Sequence, residues 1–363
     1  MPENLRDRIG QMILVGFRGI TAIEAHPVLR CIAEGTVGAV VLYDVDAHTS
    51  QPRNIQSREQ LRGLITALKA ANELPVLVTV DAEGGAYHRL KEKFGFGPTT
   101  PAGVVGERND LAFTRAAAGK IAAELADVGI DMNLAPVVDL LNPSNLAVGA
   151  RRRAFSSDPA LVAAHAREFI LAHRALGVLT AAKHFPGMGG LLRPNVTGPG
   201  EVSEGCSSDE LEPYRLLIGE GLLDAVLTTR ITHPELDPDL PGCLSHKVID
   251  GVLRKQMGFD GVAISDAMEM GAIWETVGFE RGTIMAINAG IDLLLFSNEL
   301  DYVPYSDDRG PDAVRVILDA VSRGDIAESR IDEACGRILA LKSRLQATGP
   351  GRASGDTLGP APQ

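Results

Sequence analysis

Eight short apolar runs, rich in Val, Ile and Leu, recur at residues 11–17, 37–43, 75–80, 129–138, 178–184, 225–229, 261–265 and 291–296. Most are continuous rather than alternating, as strands of a parallel sheet covered on both faces should be. Helix-like stretches separate them. Ser57 is placed to cap a helix running to Leu68, and Asp158 with Pro159 opens a longer one reaching Leu176. Ser208 or Asp209 can cap a helix to Ile218, and Ser245 one to Met257, which Gly258 ends. Residues 111–128 and 281–289 supply two more. Strand and helix alternating eight times predicts the α/β class and a single-domain (β/α)8 TIM barrel; doubly wound open sheets alternate similarly. Two amphipathic helices follow the eighth strand, near 312–322 and 326–345. Residues 1–346 read as one domain, and 347–363, rich in Gly, Pro, Ala and Ser, as a disordered tail.

In α/β barrels, chemistry gathers where strands end and the following loops begin. Those ends carry Asp81 and Glu83 after the third run, Asp139 after the fourth, and Lys183-His184 at the fifth. Arg230 ends the sixth, and Ser265-Asp266 the seventh. An Asp behind one strand is usually a turn former or a helix cap. Polar residues behind five successive strands point instead to a polar pocket on one barrel face.

Composition narrows what that pocket serves. The 363 residues carry a net charge of -12 and only 4% aromatics. A polyanion-binding surface needs clustered Lys and Arg, and base stacking needs aromatic platforms, so a nucleic-acid partner is not expected. The opening MPENLRDRIGQMILVGF places charges where a secretory signal needs its apolar region, and its apolar run is too short to span a bilayer. No membrane association is expected, and the cytoplasm is the expected compartment. Cys31, Cys206, Cys243 and Cys335 are widely spaced and read as ordinary thiols. His165 and His173 fall within a predicted helix and read as structural or exposed. No histidine spacing suggests a metal site.

Five blocks carry a family resemblance. DAEGGAYHRL at 81–90 is similar to the DxEGGxVxRL segment of glycoside hydrolase family 3, and NLAPVVDLLNPSN at 133–145 resembles its NxAPVxDxxxNPxN segment. RAFSSDP at 153–159, KHFPG at 183–187 and LRKQMGFDGVAISDAMEM at 253–270 match three further blocks, in the family's order. The resemblance is strongest to the single-domain bacterial β-N-acetylglucosaminidases, because the chain ends soon after its eighth strand. It implies a barrel, no cofactor, a small carbohydrate or glycoconjugate substrate, and hydrolysis with retention through a covalent glycosyl-enzyme. It places Asp266 as the catalytic nucleophile, with Asp81, Arg89, Arg153, Lys183, His184 and Arg230 in the substrate site. Arg151 and Arg152, beside Arg153, read as a solvated basic run.

The pattern breaks after the fifth strand. Relatives continue KHFPGHGxxxxDSH, whose Asp-His dyad is the general acid and base; this chain reads KHFPGMGGLLRPNVTGPGEV. Met188 replaces the first loop His, and Arg193 and Asn195 fall where the dyad would be. Neither cycles a proton near neutral pH. Arg230 also stands where relatives usually carry His. Glu201, Glu204 and His233 are the nearest substitutes. Three readings follow: a retaining glycosidase with altered proton-transfer machinery, a barrel that binds sugar without hydrolysing it, and transglycosylation or phosphorolysis on the same glycosyl-enzyme.

Overall fold

The computed structural model describes residues 1–190 and 208–347. Eight parallel strands form the sheet: β1 (Ile13–Gly16), β2 (Ala39–Leu42), β3 (Leu77–Val80), β4 (Met132–Asn133), β5 (Leu179–Phe185), β6 (Ala225–Thr228), β7 (Val262–Ile264) and β8 (Leu294–Phe296). Every residue in them is buried, which is what continuous apolar runs require. Neighbours in sequence are neighbours in space, and β1 pairs with β8 in the register Ile13 to Leu294. The bridge from Ile264 to Leu293 joins β7 to β8 and closes the ring. Closure rules out the open doubly wound sheet.

A helix follows each strand: His26–Ala33, Arg58–Ala70, Leu111–Val128, Pro159–Arg174, Glu212–Gly219, Lys247–Gln256, Phe279–Ala289 and Arg309–Arg323. Glu328–Ala347 is a further helix, and Leu5–Gln11 precedes β1. Ser57 and Gln60 form a full capping box, and Asp158 caps with Pro159 in the first turn, as expected. Neither Ser208 nor Asp209 caps the sixth-strand side of the barrel. Ser208–Leu211 is a 3-10 turn, and the α-helix starts at Glu212, where Pro213 supplies a fixed φ and needs no N–H partner. Lys247–Gln256 winds as a π-helix, with Ser245 Oγ still accepting from Val248 N at 3.2 Å.

The fourth run, expected over 129–138, keeps only two residues of regular ladder. Pro136 has no N–H to donate. Pairing continues irregularly beyond it, with Val138 N donating to Lys183 O at 2.8 Å. Cys31, Cys243 and Cys335 are buried free thiols; Cys206 lies outside the described residues. Of the expected tail, 348–363 also lies outside them.

Candidate active site

The strand ends bring five of the proposed substrate residues into one charged network. Asp81 directly follows β3, and its Oδ1 accepts from Lys183 Nζ on β5 at 2.7 Å. The same ammonium lies 2.7 Å from Glu83 Oε1. Arg153 forks onto Glu83 with two bonds of 2.8 Å and donates to Ala147 O at 3.0 Å. Arg153 lies 3.3 Å from His184 Nε2, and His184 Nδ1 lies 2.7 Å from Asp139 Oδ2. A guanidinium can only donate, so Nε2 accepts and the ring proton on Nδ1 faces Asp139. Asp139 Oδ1 takes the His184 and Met188 amides at 3.1 and 2.9 Å. Arg89 reaches over from the hairpin after β3 (Ala82–Gly84 with Tyr87–His88), donating to Asp44 at 3.2 Å and lying 3.8 Å from Asp81.

Burial opposes the charges on Glu83, Asp81 and Lys183, and the pairing outweighs it. Burial pushes the Glu83 carboxyl up, but Lys183 and Arg153 hold it down at about 2. Asp81 likewise stays below its usual range despite burial, through Lys183 and Arg89. The Lys183 ammonium is disfavoured by burial and yet stays above its ordinary value because two carboxylates face it. The result is a set of permanent charges with fixed geometry, suited to orienting hydroxyls rather than moving protons.

Asp266 and Arg230 form a second group. Asp266 Oδ2 accepts from the Arg230 amide at 3.0 Å, and Oδ1 from the Ala267 amide at 2.8 Å. The Arg230 guanidinium approaches Oδ2 only to 3.5 Å. Backbone amides therefore aim the carboxylate, and the guanidinium adds charge. Among the described residues, neither makes an ion pair with the Lys183 network; β6, next to β5, and β7, next to β6, bring them to the same barrel face.

The departures from the family pattern have a physical face here. Met188 is 3% exposed and packs with Val137, Val148, Ala154 and Ile231, so the position offers no proton. Asn145 Nδ2 clamps the carbonyls of Met188 and Gly190, and Glu210 Oε2 takes the Leu140 amide at 3.2 Å. A Cβ at Gly189 would fall 1.6 Å from Glu210 Oε1, so only glycine lets the loop settle on that carboxyl. Burial, then the nearby Asp139, drives the Glu210 carboxyl well above its usual value. His233 is buried, and burial lowers it to about 4. Arg193, Asn195, Glu201 and Glu204 lie outside the described residues.

The sequence placed Glu83 and Asp139 among the polar strand ends without a specific role, and did not single out Asp44, Glu210 or Glu299. Asp44, Glu83 and Asp139 follow strands closely and carried the same signal as Asp81; Glu210 and Glu299 carried none. Arg151 and Arg152 are exposed, Arg152 pairing with Glu107, as the solvated reading expected. His165 and His173 are structural: Thr114 Oγ1 lies 2.8 Å from one, and Asn133 Nδ2 3.0 Å from the other. Among the described residues no three His, Cys, Asp or Glu side chains gather to hold a metal ion.

A closed barrel with paired carboxylates and cations at its C-terminal mouth has the layout of a barrel enzyme. The chain belongs to glycosyl hydrolase family 3, whose N-terminal domain pattern matches residues 4–341. A beta-hexosaminidase of Xanthomonas euvesicatoria is 34% identical over 294 residues, 78% of this chain and 83% of that one. A sequence from Arthroderma benhamiae, described as an uncharacterized secreted glycosyl hydrolase, is 29% identical over 95% of both chains. The family 3 β-N-acetylglucosaminidase structure from Paenibacillus sp. superposes with a TM-score of 0.85 at 32% identity, over 99% of this chain and 66% of that one. The β-N-acetylhexosaminidase structure from Beutenbergia cavernae gives 0.82 at 29% identity, over 94% and 99%.

Proposed function

We propose that the protein removes a β-linked N-acetylglucosamine-type sugar from a small glycoconjugate, through a covalent glycosyl-Asp266 intermediate. The observation that carries this is the Asp266 carboxylate, fixed by two backbone amides at a strand end beside a network built to hold hydroxyls. The similarity to beta-hexosaminidases and to a family 3 β-N-acetylglucosaminidase supports the sugar class. In the first step Asp266 attacks the anomeric carbon, and the glycosidic bond breaks toward the aglycone oxygen. Asp81, Arg89, Arg153, Lys183 and His184 hold the ring, and Arg230 keeps positive charge beside the nucleophile. Water then attacks the same carbon, giving up one proton to solvent, and Asp266 leaves as a carboxylate.

The proton for the departing oxygen is the weak point. His184 is held between a cation and Asp139, Met188 is buried and apolar, and His233 is a neutral buried ring near pH 7. Loss of a general acid costs ~10²- to 10⁴-fold. This favours a second reading, a barrel that binds sugar with little hydrolysis; transfer to another acceptor is a third outcome of the same intermediate. The proposed compartment is the cytoplasm; cell fractionation decides it.

The test is intact-mass spectrometry after incubation with a 2-fluoro glycosyl donor carrying a good leaving group. The wild type should gain one glycosyl unit, and Asp266→Asn should not, while still binding sugar. No adduct on the wild type would leave the binder reading. Across a series of aryl glycosides the glycosylation rate should fall steeply as the leaving group becomes more basic. A flat dependence would show that a competent acid is present.

A further inference from the structure

Arg89 is shared among three carboxylates. It bonds Asp44 at 3.2 Å and lies 3.8 Å from Asp81 and 3.9 Å from Glu299. Asp44 is fully committed, because Lys91 Nζ sits 2.6 Å from its second oxygen. Asp81 is bonded by Lys183. Glu299 differs: its side chain is only 21% exposed, and among the described residues it makes no hydrogen bond. A carboxyl taken largely out of water without a hydrogen bond is costly to the protein alone.

The backbone leading into Glu299 is tied down. Glu269, itself buried after β7, accepts the Ser297 and Asn298 amides at 3.0 and 3.1 Å. Asn298 takes a left-handed φ of 52° and donates to Gly16 O and Ser306 O at 3.3 and 2.7 Å. Glu299 thus follows a fixed left-handed residue, with its carboxyl left without a hydrogen bond near Asp81. That is the arrangement of a preorganised ligand contact.

We propose that Glu299 is a substrate-contacting, specificity-determining residue, bonding a ring hydroxyl at the end of the sugar held by Asp81 and Arg89. The inference rests on the sugar occupying that network. Its chemistry follows from the charges present. Burial raises the Glu299 carboxyl, and Arg89 and Arg53 pull it back, so either ionisation state meets a hydroxyl, which both donates and accepts. A phosphate or carboxylate substituent at the same position would face Asp81 and Glu299 together. The pocket therefore selects an unsubstituted hydroxyl and rejects an acidic one.

The experiment compares wild type, Glu299→Gln and Glu299→Ala on aryl β-N-acetylglucosaminides that are intact, lack the 4- or 6-hydroxyl, or carry a 6-phosphate. Removing the contacted hydroxyl should cost the wild type about 10- to 100-fold in kcat/KM. In Glu299→Ala that same removal should cost little, because the partner is already gone. Glu299→Gln should bind the intact sugar more weakly and discriminate less against the phosphorylated one. Melting temperatures close to wild type establish that the variants fold, and the amide variant carries the comparison if the alanine variant does not. Equal penalties for hydroxyl removal in wild type and Glu299→Ala, or full activity in Glu299→Ala, would overturn the proposal. Calorimetric binding of N-acetylglucosamine and its deoxy analogues gives the same comparison without turnover. A wild type that fails to form the glycosyl adduct, yet shows the binding pattern, refutes hydrolysis and keeps Glu299. Absence of any sugar binding refutes both.

Discussion

Glu83 has both carboxylate oxygens taken by cations, Arg153 on two bonds and Lys183 on one side, with 4% of its side chain exposed. Its folded value of about 2 lies below the ordinary 4.5. The sign follows directly: a depressed acid stabilises fully above its unfolded value, and the contribution is lost as pH falls toward the folded one. Each unit is worth ~1.4 kcal/mol. The stability gap between wild type and Glu83→Gln, measured by urea unfolding, should therefore shrink by about 2 kcal/mol from pH 5 to pH 3. A gap independent of pH would mean that Glu83 is not charged and paired in the folded protein. At this scale the sequence shows Asp81, Lys183 and Asp266 readily, because each stands directly behind an apolar run. Glu83 is visible at the same strand end, but its pairing with Arg153 and Lys183 is not, because its inward turn depends on the hairpin's register shift between Ala82 and Gly84. Glu299 escapes because it stands three residues past β8, and only the left-handed turn at Asn298 brings it to Arg89.

At the opposite end of the strands, acidic residues just ahead of three of them perform one repeated task. Asp131 ahead of β4 accepts the Val78 amide of β3 at 2.9 Å, and Asp224 ahead of β6 the Thr180 amide of β5 at 3.2 Å. Asp292 ahead of β8 accepts the Ala263 amide of β7 at 3.0 Å. Each also binds cations from the surrounding helices, so strand entry and helix position are fixed together. Asp292 is the extreme case, fully buried with Arg254, Arg330 and Arg337 at 2.5, 2.6 and 3.3 Å. Asp292→Asn keeps the shape, leaves the Arg254 guanidinium without a carboxylate partner, and leaves Arg330 and Arg337 with only Glu333 and Asp260, at 3.5 and 3.4 Å. It should cost about 3–5 kcal/mol in unfolding free energy while leaving kcat/KM of the folded fraction unchanged. A loss under about 1 kcal/mol would contradict the assignment. The tripeptide Gly-Ile-Asp at 129–131 and 290–292 was legible in the sequence, but its partners were not, since they lie on other strands and helices. Helix starts were legible where a side chain caps, at Ser57 and Asp158. They were misread at Ser208, where Pro213 rather than a cap sets the start.

Across the whole molecule the two barrel mouths divide the labour, chemistry at the strand ends and stability at the strand starts. Ahead of β2 the acidic residue is missing, and Gly38 stands there. Lys342 from the helix Glu328–Ala347 fills the gap, donating to Gly38 O at 2.7 Å and to Gln11 Oε1 at 2.6 Å. It is 2% exposed and has no carboxylate in contact among the described residues; burial lowers it to about 7, against a partial opposing pull from Asp131 and Cys335. A base depressed in the folded state binds its proton better unfolded. Its full contribution is therefore present above the ordinary value of 10.5 and is lost as pH falls through 7. Lys342→Met has similar length and no titration. The buried Tyr43, Tyr214 and Cys243 also titrate late, but they are common to both proteins and cancel in the difference. Between pH 7 and 10, unfolding free energies should shift in favour of the wild type by ~1.4 kcal/mol per unit at most. Turnover, governed at the other mouth, should follow the same pH profile in both proteins. A pH-independent stability difference would place a charge-compensating group against Lys342, and a changed turnover profile would show that the two mouths are coupled.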